Sequence, residues 1–174
     1  MHSDIGPKKV VMVIAHRSFR DEELLIPKGE LEKEGINVFV ASTSLTDAVG
    51  KLGAVVVPDL LVKDIKLTDF DAIVFVGGIG CLAYWDDPLA HSLLKEAFSA
   101  GKIIAGICSG VVILARSGVL RCRKATVFPG DAKEIIDMGA EYTASLVERD
   151  GKIITASGPQ AAEGFGRELA SALR

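Results

Sequence analysis

Ile103-Ile104-Ala105-Gly106-Ile107-Cys108-Ser109-Gly110, followed at once by Val111-Val112-Ile113-Leu114-Ala115, is an apolar strand-like run that stops at a cysteine between small residues and resumes as a second apolar run. A buried strand, a sharp turn and a helix is the arrangement of a nucleophile elbow, where only small neighbours leave room for one exposed side chain. The turn would set Cys108 at the start of the next helix, where partial positive charge favours a thiolate, so a thiol titrating well below its ordinary value of about 8.5 is expected. The plainer alternative is a small hydrophobic cysteine packed at a strand end.

Outward from this stretch the chain alternates strands and helices. Strands are predicted at Lys8–Ala15, Ile36–Ala41, Asp71–Val76 and Lys102–Ile107, with a short β segment at Ala54–Val57. Helices are predicted at Asp21–Glu34, Asp87–Ala100, Gly110–Ser117, Asp131–Met138 and Ala161–Leu173, the first kinked or started late by Pro27. Asp150-Gly151 between Ala144–Arg149 and Lys152–Ala156 signals a hairpin. Continuous β-branched strands between amphipathic helices imply a mostly parallel sheet covered on both faces, one domain over residues 1–174, with 1–7 a disordered extension. Ligands of such sheets bind beyond the carboxyl ends of the strands. That rule selects His16–Glu23, Gly77–Trp85, Cys108-Ser109 and Ser157-Gly158-Pro159.

The 174 residues are 49% hydrophobic and 25% charged, ordinary for a globular protein, with a net charge of −3 and no basic run to suggest nucleic acid. No apolar run approaches the roughly 20 residues of a membrane span, and no signal peptide is evident, so a cytoplasmic location is expected. The three cysteines, Cys81, Cys108 and Cys122, make an odd count without C-x-x-C spacing, and His2, His16 and His91 are scattered. Neither a disulfide framework nor a zinc site is expected, and no cofactor is called for.

Around Cys108 the paired glycines Gly77-Gly78 end a buried strand, where backbone N–H groups can approach a ligand, although a plain turn has the same signature. Glu22 and Glu23 open the first helix. Either both are solvated, or one turns inward, gains a raised pKa beside the sulfur and donates a hydrogen bond to it. His16 is an acid–base candidate or an exposed loop histidine, and His91 falls on a helix surface. Tyr84-Trp85 either wall the pocket or make an oligomer contact, Arg17 and Arg20 lie near the site in sequence, and Cys81 reads as a packed loop cysteine.

The chain resembles the ThiJ/PfpI superfamily over nearly its whole length. The resemblance rests on Val10–Ala15, Glu22-Glu23-Leu24-Leu25-Ile26-Pro27, Phe75-Val76-Gly77-Gly78, Ala105–Gly110 and Asp150–Pro159, in that order and spacing. It implies a flavodoxin-like three-layer sandwich, like the class I glutamine amidotransferases, in a homodimer or larger homo-oligomer. It also implies Cys108 as nucleophile, Glu23 facing the thiolate, and Gly78 and Ser109 as backbone amides of the oxyanion site, with Gly77 and Gly158 auxiliary. PfpI-type peptidases in this family carry a histidine after the cysteine and a glutamate after the Gly-Gly turn, where this chain has Ser109 and Leu82. Members resembling the DJ protein carry a histidine before a proline, where this chain has Phe128 before Pro129. A Cys-His-Glu peptidase is therefore disfavoured. The expectation is a cysteine enzyme acting on a small carbonyl substrate or a glycated group, glyoxalase- or deglycase-like. The alternatives are a stress sensor that works by oxidation of Cys108, or a chaperone.

Overall fold

The computed structural model describes residues 6–174. Most of the expected N-terminal extension lies outside that span; Gly6 and Pro7 are exposed and irregular. The strands are β1 (Lys9–Val13), β2 (Arg17–Phe19), β3 (Asn37–Ser42), β4 (Ala48–Gly50), β5 (Val55–Val56), β6 (Leu60–Leu61), β7 (Ala72–Phe75), β8 (Ile103–Ile107), β9 (Lys124–Ala125), β10 (Glu141–Tyr142), β11 (Val147–Asp150) and β12 (Ile153–Ala156). The helices are α1 (Asp21–Lys33), α2 (Pro88–Ser99), α3 (Val111–Ser117), α4 (Ala132–Asp137) and α5 (Ala162–Ala172). Among the described residues a seven-stranded sheet runs β11-β12-β8-β7-β1-β3-β6. Every pairing in it is parallel except β11 with β12, which close the expected hairpin with Asp150 opposite Ile153.

The parallel strands are apolar along their length because both faces are covered. Side chains alternate across the sheet, so Val10, Met12 and Ile14 pack with Leu24, Leu31, Phe165 and Leu169 of α1 and α5. Val11, Val13, Ile73 and Phe75 pack instead with Leu93 and Leu94 of α2 and Ile113 and Leu114 of α3. Each such side chain, fully buried, contributes about 1.5–3 kcal/mol relative to exposure. This is the flavodoxin-like three-layer sandwich.

The late start expected from Pro27 does not occur. Helix α1 continues from Asp21 to Lys33, with Pro27 buried. Gly166 allows α5 to pass close by, since a β-carbon there would lie 2.8 Å from Pro27 Cα. Packing on α5 thus holds the helix together across the missing N–H.

Between residues 43 and 68 the sequence reading found only the short β segment at Ala54–Val57, which the structure trims to β5 (Val55–Val56). The structure forms a small sheet, β2-β4-β5, with β4 and β5 antiparallel. Its turn is tied to α1 by Asp21, whose carboxylate accepts from Leu52 N–H at 2.7 Å and Ala54 N–H at 2.8 Å. Asp21 is 6% exposed, so these charge-assisted bonds offset the cost of burying it. They also hold Lys51 over the start of α1, beside the carboxyl ends of the central strands.

Candidate active site

The carboxyl ends of β7, β8 and β12 and the junction of β2 with α1 meet at a cleft of about 800 Å³. Cys108 follows β8 with φ 59°, a left-handed conformation rare for a side-chain-bearing residue. The strain is maintained by close packing on either side. A β-carbon at Gly110 would lie 2.6 Å from the Phe75 carbonyl oxygen, and one at Gly106 would lie 3.2 Å from Val111 Cα. The expected elbow is therefore present, with one modification. Cys108–Gly110 form a 3₁₀ turn, and α3 begins only at Val111.

Glu23 is the acid that turns inward. It is 0% exposed, and neither carboxyl oxygen has a hydrogen-bond partner that meets the usual geometric limits. Glu22 stays outside and accepts from Arg20 Nε at 2.7 Å. Gly77 is where the carboxyl and the sulfur-bearing side chain converge: a β-carbon there would lie 2.8 Å from both Cys108 Cβ and Glu23 Oε1. Gly78 adopts φ 99°, and a β-carbon on it would lie 2.5 Å from Arg20 N. Only glycine fits that turn, and Arg20 N–H donates to the Gly77 carbonyl at 3.0 Å.

Burial pushes the Glu23 carboxyl up to about 8, so it is mostly protonated at neutral pH. Burial, reinforced by the charge that Glu23 can carry, pushes the Cys108 thiol up to about 12. The expected low thiol value is thus corrected. The Ser109 N–H favours the thiolate, but desolvation in this pocket outweighs it. A helix of two turns, set back by the 3₁₀ segment, adds little compensating dipole. At neutral pH the site favours a thiol beside a protonated carboxyl over a free thiolate.

Ser109, next to the sulfur, is held at three atoms. Its hydroxyl donates to Asp131 Oδ2 at 2.6 Å, its carbonyl accepts from Trp85 Nε1 at 3.0 Å, and its N–H faces Cys108. Trp85 is itself fixed: the Arg116 guanidinium lies 4.8 Å from its ring centroid, and His91 Nε2 is 2.7 Å from its carbonyl oxygen. His91, expected on the surface, is therefore half-buried against the cleft wall.

The other expected residues fall as follows. Gly78 and Ser109 line the cleft, and Gly158 sits between two lining residues, Ser157 and Pro159. His16 bonds Thr46 Oγ1 at 3.0 Å and does not line the cleft. Trp85 walls it, whereas Tyr84 turns into the core and donates to the Ile14 carbonyl at 2.9 Å. Arg20 lines it and Arg17 does not. Cys81 is buried, with its thiol pushed up to about 12 by desolvation, and Cys122 is exposed.

Sequence reasoning missed Asp131 and Lys51, both in the cleft wall. Asp131 opens a helix after Pro129-Gly130 and so reads as an N-cap. Its side chain makes no cap bond and reaches back to Ser109 instead. Phe128 also lines the cleft and is 45% exposed there. Among the described residues, no histidine lines the cleft, no cluster of three or more metal-ligating side chains occurs, and no helix is long and apolar enough to cross a membrane.

A parallel α/β sandwich with a strained cysteine elbow and a buried glutamate from its first helix defines the class of protein. The chain belongs to the DJ-1/PfpI family, whose model matches residues 8–172. It is 40% identical over 168 residues to an uncharacterized protein, MJ0967, of Methanocaldococcus jannaschii, covering 95% of this chain and 82% of that one. It is 34% identical over 164 residues to Deglycase PH1704 of Pyrococcus horikoshii, covering 94% and 99%. The crystal structure of a ThiJ/PfpI domain protein from Brachyspira murdochii superposes with a TM-score of 0.94 at 36% identity, covering 97% of this chain and 98% of that one.

Proposed function

We propose that this protein is a cysteine-dependent enzyme acting on reactive carbonyls, of glyoxalase or deglycase type. The observation that carries the reading is the buried, unpartnered Glu23 carboxyl set against the strained Cys108 elbow in the wall of an open cleft. The deglycase name borne by a relative supports it.

The chemistry follows from a carboxyl beside the sulfur that can give up and take back a proton near neutral pH. As Cys108 sulfur bonds to an aldehyde carbon, the S–H proton passes through Glu23 to the carbonyl oxygen, giving a hemithioacetal. A carboxyl held near neutrality can both take and return that proton. With a 2-oxoaldehyde, Glu23 in its ionised form then takes the proton from the former aldehyde carbon and returns it to the neighbouring carbon, while the hydroxyl proton passes from the first oxygen to the second. The first carbon is oxidised to a thioester, the second is reduced to an alcohol, and water releases a 2-hydroxy acid. Gly78 and Ser109 offer backbone N–H groups to the developing oxyanion. The native assembly is proposed to be a homodimer or larger homo-oligomer, acting on small molecules and not on nucleic acid.

The test is lactate formation from methylglyoxal by the wild-type protein, with Cys108→Ala and Glu23→Gln beside it. Loss of turnover in both variants is expected. Turnover retained by Cys108→Ala overturns the reading. Selective oxidation of Cys108 without turnover would favour the stress-sensor alternative.

A further inference from the structure

The carbonyl chemistry proposed above requires a group able to exchange a proton with solvent, and Glu23 is not that group. It belongs to the cleft wall but is 0% exposed to solvent. Lys51 and Arg20 are the cations of the cleft wall, and the carboxyl groups lining it are Glu23 and Asp131. Asp131 is half-buried on the open side and is joined to Ser109 at 2.6 Å. Its place at the start of α4 would ordinarily turn the carboxylate onto that helix's own N–H groups, yet it makes no such bond. Ser109 in turn is held by Trp85 at its carbonyl. The hydroxyl hydrogen is committed to Asp131, which leaves the oxygen of this cleft-lining residue free to act only as an acceptor.

We propose that Ser109 and Asp131 form the solvent-side acid–base pair of this site, with Ser109 binding the water that frees the acyl group from Cys108 and Asp131 as the positioning residue that receives the proton. The inference rests on the reading of Cys108 as a nucleophile. In the step, the water oxygen bonds to the thioester carbon while one water proton passes to Ser109 Oγ. The Ser109 proton passes to Asp131 and from there to solvent. The carbon–sulfur bond breaks, and sulfur takes the proton of Glu23. Glu23 regains one from the new carboxylic acid, which leaves as carboxylate. The pair thus occupies the place that a histidine after the cysteine fills in the PfpI pattern.

The experiment separates deacylation from the carbonyl chemistry. Cys108 is acetylated directly with p-nitrophenyl acetate, and loss of the acetyl group is followed by intact mass in wild type, Ser109→Ala, Asp131→Asn, Asp131→Glu and the Ser109→Ala/Asp131→Asn double variant. Deacetylation is expected to slow roughly 10- to 100-fold in each single alanine or asparagine variant. The double variant should be no slower than either, because the two side chains act as one unit. Asp131→Glu should recover part of the rate, and deacetylation should slow by more than acetylation does. Methylglyoxal turnover is measured on the same proteins, and Asp131→Asn should accumulate a hydroxylamine-labile adduct on Cys108. Equal deacetylation in all variants, or acetylation and deacetylation slowed alike, overturns the pair. Slowed deacetylation with no lactate from wild type retains the pair and rejects the carbonyl reading. Failure of Cys108 to acetylate overturns both.

Discussion

Cys108 and Glu23 converge on Gly77, where a single added β-carbon would lie 2.8 Å from the β-carbon of one and 2.8 Å from Oε1 of the other. Two groups that cannot comfortably both be charged are therefore enclosed in one corner: burial raises the proton affinity of both, and the charge that Glu23 can carry raises that of Cys108 further.

Glu23→Gln should lower the pH at which Cys108 becomes reactive. The substitution removes the carboxylate charge that opposes the thiolate and keeps an N–H donor. Iodoacetamide alkylation followed from pH 6 to 11 should show the profile displaced toward acid, while methylglyoxal turnover falls. A profile that stays in place or moves to alkali would show that Glu23 does not face the sulfur.

Stability should also report on Glu23. Its carboxyl is held up to about 8 in the folded chain, against an ordinary value of 4.5. Between those values the folded state binds more protons than the unfolded state, so stability falls as pH rises. The slope approaches about 1.4 kcal/mol per pH unit in mid-window. Urea unfolding of wild type and Glu23→Gln at pH 5, 6.5 and 8 should show this dependence in wild type only, with the variant gaining relative to wild type at the alkaline end.

Gly77→Ala should abolish turnover and destabilise the fold. Its β-carbon would also lie 2.8 Å from the Ile107 carbonyl oxygen, a backbone atom that cannot step aside. Overpacking of this kind costs about 1–3 kcal/mol. Circular dichroism melting should show a lowered Tm with a folded baseline. A variant of native stability and activity would mean that the corner is looser than the geometry implies.

Asp21→Ala should cost more than its place in an acidic first turn suggests. It strips the Leu52 and Ala54 N–H groups of a buried carboxylate partner. Hydrogen bonds to charged groups contribute about 1.5–3 kcal/mol each, so a loss of roughly that size or more is expected in urea unfolding. Hydrogen exchange at Leu52 and Ala54 should quicken selectively, because the turn that carries Lys51 is released.

The sequence by itself determined the layer architecture and the elbow. Runs such as Val10–Ile14 and Ile103–Ile107 are apolar at every position, which only a sheet covered on both faces accommodates, and Gly106, Ser109 and Gly110 around Cys108 mark a turn with no room for larger neighbours. The residues alone leave Glu22 and Glu23 open, and it is the family resemblance that implies Glu23 as the one facing the sulfur. What only the tertiary structure decided is everything that depends on groups distant in the chain. Asp131 meets Ser109 from 22 residues away, and Asp21 reaches a turn more than 30 residues on. Whether Cys108 is a ready thiolate was likewise beyond sequence reading. The dipole argument from a helix start is local, whereas the desolvation that outweighs it arises from Glu23 and the surrounding walls closing over the sulfur.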